Sequence, residues 1–178
     1  MAAAAFRRVL VPVEFETAGD AEVAPDRLVK VGDRDWVSFG PLTITALELA
    51  AKLTAGGEVW LVHATPDFLD YAVYAGPEGT WVPTESIDRL NQTAREQSQS
   101  VLERIATRHC PGVDVRVQVA TGKPLAVILD LAKQHPPDAI VLAASSRGRV
   151  RRALLGSTAD KIIRQAFCPV VVVPSGDG

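Results

Sequence analysis

Residues 139–174 constrain the fold of this chain more than any other stretch. They read as strand, basic loop, helix and strand. Residues 140–144 form a continuous apolar run, as expected of a parallel strand covered on both faces. Ala159, Ile162, Ile163 and Ala166 recur at spacings of three and four, which predicts one buried stripe on a helix. Residues 170–173 are all valine, between Pro169 and Pro174, and predict a second strand. One helix joining two strands makes them parallel, with a right-handed crossover. The intervening loop is where such a sheet binds an anion. Four of the six residues 147–152 are arginine, in a chain of formal charge -2. Gly156, Ser157 and Thr158 follow at the helix start, where unpaired amides and the helix dipole favour negative charge. Small residues admit a phosphate to the backbone, and guanidinium forks match its oxygens. Two readings stand: a phosphate cradle, or a solvated flap whose Ser157 caps its helix.

The segment resembles the carboxyl-terminal signature of the universal stress protein family. ATP-binding members carry a glycine, two residues, a second glycine, nine residues, then glycine with Ser or Thr. Gly148 matches the second glycine and Gly156-Ser157 the closing pair. Ser145 stands in the place of the first glycine, and seven residues, not nine, separate Gly148 from Gly156.

A chain of 178 residues is expected to form one domain with a substantial core. Its 47% hydrophobic and 22% charged content is ordinary for a globular protein. A pI near 5.9 argues against nucleic-acid or membrane-surface binding, which show as a basic excess. No apolar run approaches the ~20 residues that span a bilayer. The opening M-A-A-A-A-F-R-R is too short for a signal peptide and has its arginines on the wrong side, so a cytoplasmic location is expected. Cys110 and Cys168 offer neither a disulfide framework nor metal spacing.

Taken in order, residues 9–14 (V-L-V-P-V-E) predict the first strand, with Pro12 marking its end or an edge. The family resemblance extends here: a strand with proline, then an acidic residue near the nucleotide's ribose or metal, matched by Glu14. Residues 15–40 leave the family pattern as an insertion. Leu28, Val29 and Val31 flank Gly32-Asp33 with Trp36, Val37 and Phe39, a hairpin pattern. An insertion at this strand end is expected to act as a lid, a dimer contact or a plain surface excursion. Pro41 opens a helix carrying Ile44, Leu47 and Ala51, stopped by Gly56-Gly57. Residues 58–64 predict strand two. His63 reads as a packed strand residue, and Ala64 matches a family position whose backbone faces adenine.

Residues 65–83 read as a loop whose Tyr71, Tyr74 and Trp81 cover a base, a partner or a satellite core. Thr84 is expected to cap a long helix with Ile87, Leu90, Ala94, Val101 and Ile105 inward. Residues 113–120 alternate and predict an edge strand. Thr121-Gly122-Lys123-Pro124 lacks the first glycine and the Ser/Thr of a phosphate-binding P-loop, so it reads as a plain start to a helix with Val127, Ile128 and Leu131 inward. His109-Cys110, at a helix end, reads as incidental, and no catalytic arrangement emerges.

Alternating strands and helices predict an α/β fold, a three-layer doubly wound parallel sheet of five strands. The resemblance implies the strand order 3-2-1-4-5 of the Rossmann-like, adenine nucleotide alpha hydrolase-like class. It further implies a crevice holding ATP or a related adenine nucleotide, with Mg2+ entering on the phosphates. Pro12, Val13, Glu14 and Ala64 would line one side. Ala144, Ser145, Arg147, Gly148 and Arg149 would form the loop, with Gly156, Ser157 and Thr158 at the helix start. Family members pair their last strand with a twin subunit, which implies a homodimer through Val170–Val173. The alternative is a nucleotide-free dimeric interaction module in which the shortened loop packs over its own crevice.

Overall fold

The computed structural model describes residues 6–18, 23–31, 35–54, 56–73, 83–144 and 156–174. Its central element is a five-stranded parallel sheet built from β1 (Arg8–Pro12), β5 (Glu58–Thr65), β6 (Asp114–Thr121), β7 (Ala139–Ala143) and β8 (Val170–Val173). The strand order is β6-β5-β1-β7-β8, the 3-2-1-4-5 arrangement expected. Registers run Val9 opposite Val59 and Ala139, and Ile140 opposite Val170. The alternating strand lies at an edge, as its half-exposed pattern requires.

Helices cover both faces. On one face α1 (Pro41–Leu53) and α3 (Thr84–His109) close a core around Val9, Val11, Leu47, Leu61, Leu102 and Ile105. On the other, α4 (Pro124–Gln134) and α5 (Ser157–Gln165) cover Leu10, Val62, Ile128, Ile140 and Ile162. Successive strand residues therefore serve opposite cores: Leu61 one, Val62 the other. Asp138 secures the sheet from below, its carboxylate accepting from the amides of Arg7 and Arg8 at 2.7 and 2.8 Å. Those bonds hold its pKa below the usual carboxylate value. Gly57 is required where β5 meets β1, because a Cβ there would run into the Arg7 carbonyl.

The insertion forms a second sheet. The expected hairpin is present as β3 (Leu28–Val31) and β4 (Asp35–Phe39), with Val29 opposite Val37; its turn, residues 32–34, lies outside the described residues. A third strand, β2 (Phe15–Thr17), pairs antiparallel with β4 to give the order β2-β4-β3. Val29 and Phe39 are buried in the α1/α3 core, and Phe39 meets the His109 ring edge-on at 5.6 Å between centroids. Arg104 donates to the Lys30 carbonyl, Arg108 to those of Pro25 and Leu28, and His109 bonds the Asp26 carbonyl. His109 is thus a packing residue that fixes the insertion on α3. Cys110 beside it is buried, which pushes its thiol up to about 11 and leaves it protonated and inert.

Several sequence expectations need correction. β1 ends at Pro12, so Val13 and Glu14 lie beyond it, although the Val13 amide still donates to Val62 at 2.8 Å. Phe68–Val73 is a short helix, α2, where a loop was expected. Its amino end is organised by Asp67 and Asn91, which accept from the amides of Leu69 and Phe68. Tyr74 and Trp81 lie outside the described residues. Thr84 is the first residue of α3, not its cap; Pro83 holds that place and no side chain caps the helix. Likewise Gly156 precedes α5, and Ser157 is its first residue. Leu90 and Ile163, both expected inside, are 49% and 40% exposed.

Candidate functional site

The carboxyl ends of β1, β5 and β7 converge on a crevice of about 620 Å3, the size range of small-molecule sites. Pro12, Val13 and Glu14 line it from the end of β1, and Val62, His63 and Ala64 from β5. The opposite wall is α5, through Gly156, Ser157, Thr158, Ala159 and Ile162, with Pro124 and Ile128 of α4 beside it. Seven of the expected site residues therefore share one cavity: Pro12, Val13, Glu14, Ala64, Gly156, Ser157 and Thr158. Ala144 does not reach it; it lines a smaller neighbouring cavity of about 200 Å3 on the α1 side. Ser145, Arg147, Gly148 and Arg149 lie outside the described residues.

The α5 wall is chemically the most specific part. Gly156 precedes the helix with φ -57° and ψ 151°, and no side chain caps the first turn. The Gly156 carbonyl accepts from Asp160 at 3.0 Å, which leaves the earlier amides of the turn without an intrahelical carbonyl. Such amides favour an anion. Asp160 already places one carboxylate in that turn, and Arg164 offsets it across 3.0 Å. Among the described residues no three His, Cys, Asp or Glu side chains converge as a metal-holding group.

The β1 side is fixed from behind. His63 Nδ1 donates to the Val13 carbonyl at 2.8 Å, and its ring stacks on Phe15 at 3.9 Å between centroids. By strand alternation the imidazole lies on the Leu61 side of the sheet, away from α5. His63 therefore positions the wall at Val13 and Glu14 rather than reaching across the crevice. The sequence pattern did not single out Phe15, Glu16, Pro66 or Pro124. Phe15 and Glu16 were hidden in the insertion, and only the β2–β4 pairing brings them to the site.

Gly122 explains the Gly-Lys-Pro sequence without a phosphate. Its φ of +139° is a glycine conformation, and its amide donates to the Thr65 carbonyl at 2.9 Å before Pro124 opens α4.

Burial lowers the pKa of His63 below the ordinary 6.5, and the bond to Val13 opposes this only in part. The folded protein thus holds off a proton that the unfolded chain takes up. This contribution to stability is full above pH 6.5 and lost as pH falls through the folded value. His63→Asn, which keeps an amide donor but cannot titrate, is expected to lose less stability between about pH 7 and about pH 5. Denaturant unfolding at the two pH values checks this, and equal losses in both proteins would refute it.

A family model for the universal stress protein family matches residues 40–174. The chain belongs to the universal stress protein family. Universal stress protein MJ0531 of Methanocaldococcus jannaschii is 27% identical over 131 residues, covering 72% of this chain and 70% of that protein. Universal stress protein Rv2319c of Mycobacterium tuberculosis is 37% identical over 78 residues, 44% of this chain but only 27% of the longer relative. Among solved structures, hypothetical protein MJ0577 superposes with a TM-score of 0.68 at 18% identity, covering 98% of this chain and 99% of that one. A universal stress protein in complex with cAMP gives 0.54 at 15% identity, covering 95% and 97%. A family protein from Arabidopsis thaliana with AMP bound gives 0.50 at 18%, covering 96% and 92%. At such identities the structures establish a shared fold. The family match begins at residue 40, so the insertion lies ahead of it.

Proposed function

We propose that this universal stress protein binds ATP or a related adenine nucleotide in the larger crevice and acts in the cytoplasmic stress response. The observation that carries the reading is the uncapped first turn of α5 forming one wall of a cavity of about 620 Å3. The amides of that turn, with Ser157 and Thr158, would receive phosphate oxygens, and Arg147 and Arg149 would supply charge from the preceding loop. Ala64 would meet the base through its backbone, while Pro12 and Val13 border it. Glu14 would face the ribose or a Mg2+ ion carried in on the phosphates. Bound cAMP and AMP in two proteins of the same fold support adenine as the base. No hydrolytic role is assigned. Melting curves with and without magnesium-ATP, and with AMP, test the reading. Ligand at about 100 times its Kd adds about 2.7 kcal/mol of stability. No shift with either nucleotide at millimolar concentration would reject it, in favour of a nucleotide-free interaction module.

The same reading includes a homodimer through β8. The sheet order leaves one side of β8 without a strand among the described residues. Three of its four valines are half-buried, and Phe167, just before it, is 80% exposed beside the exposed Ile163. Phe167→Asp is expected to convert a dimer to a monomer in light scattering without unfolding the chain. A mass unchanged by the substitution would place the contact elsewhere.

A further inference from the structure

The smaller cavity lies on the α1 face, where the insertion closes over the ends of β1 and β7. One wall is the first turn of α1, which Gly40 precedes and no side chain caps. Thr43 stands in that turn, lines the cavity and is 6% exposed. Its hydroxyl finds no hydrogen-bond partner among the described residues. A buried hydroxyl left in that state is costly, so its missing bond calls for an occupant of the cavity. Arg27 brings a guanidinium to the same space. The segment running into β2 brings two carboxylates, Glu14 and Glu16.

The mixed charge decides the chemistry. A simple anion would gain from Arg27, Thr43 and the positive end of α1, yet would sit in the field of two carboxylates. A simple cation meets the reverse conflict. A molecule with both signs a few ångströms apart satisfies both sets. The volume, about 200 Å3, is below that of drug-sized sites and suits a very small molecule. We propose that this cavity binds a small zwitterion of the α-amino acid class. Its carboxylate is held by the Thr43 hydroxyl, the Arg27 guanidinium and the first turn of α1, and its ammonium by Glu14 and Glu16. Both glutamates have other contacts within the chain. An ammonium adds to these, because a carboxylate accepts several hydrogen bonds. Thr43 and Arg27 line this cavity and not the nucleotide crevice, so the site is independent of the nucleotide reading.

The test uses the full chain and isothermal titration with glycine, L-alanine and L-serine. Propionate, propylamine and inorganic phosphate serve as probes of a single charge sign. At least one amino acid is expected to bind about tenfold or more tightly than any of these probes. Thr43→Val should weaken that binding by about tenfold. Arg27→Gln, at a half-buried position, should do the same, and its ligand-free melting curve reports whether it folds. Binding of propionate equal to that of alanine, binding of phosphate alone, or no amino-acid binding at about 10 mM overturns the proposal. Affinity indifferent to both substitutions overturns it as well.

Discussion

Replacing Gly156 with leucine is expected to erase the nucleotide-dependent stabilisation, taking about 2.7 kcal/mol at 100 times Kd to near zero. Gly156 lines the crevice and immediately precedes α5. A branched side chain there would stand over the amides offered to a phosphate, and small ligands tolerate no such obstruction at close backbone approach. The helix itself should suffer less, because exchanging glycine for leucine at a cap costs on the order of 1 kcal/mol. The two effects separate cleanly: the ligand-free melting curve reports the cap, and the shift on adding magnesium-ATP reports the pocket. A full shift in the leucine variant would move the phosphates away from α5.

Phe39→Ala is expected to cost about 3–5 kcal/mol, a large part of the stability of an ordinary domain. Phe39 is 4% exposed, sits in the α1/α3 core and packs on His109. Its neighbour Trp36 on the same strand points outward at 44% exposure, and Trp36→Ala should change stability by only about 0.5 kcal/mol. Denaturant unfolding of the pair distinguishes an insertion that completes the core from one laid on top of it. A Phe39→Ala cost below about 1 kcal/mol would favour the second. With Val29 and Phe39 built into the main core, the sheet before residue 40 forms a fixed wall of both cavities rather than a lid.

The order of the five strands was readable because each buried parallel strand is an unbroken apolar run and the edge strand alternates. The β3–β4 hairpin was readable from its turn residues. β2 was not, since three residues, Phe-Glu-Thr, are too few to carry a period and pair only because β4 lies alongside. The exposure of Leu90 follows from length. The 26 residues of α3 extend about 39 Å, beyond the eight-residue strands beneath, so its first turns overhang the sheet. Ile163 failed differently: Ala159 and Ile162 take the face toward the sheet, and the next residue turns about 100° away. In the crevice, Glu14, Ala64 and the Gly156 segment were legible from motif matches. Phe15 and the smaller cavity required the tertiary fold, because their lining comes from segments with no shared periodicity.

The guanidinium groups of Arg104 and Arg108 have a consequence for how copies of the chain meet. They occupy the carbonyls of Leu28 and Lys30, two residues apart on the same margin of β3. An extended peptide seeking to lengthen the small sheet at that margin finds its acceptors already taken. The molecule thereby discourages templated strand addition and fibre growth through its added sheet, while the valine-rich margin of the large one stays open for recruitment.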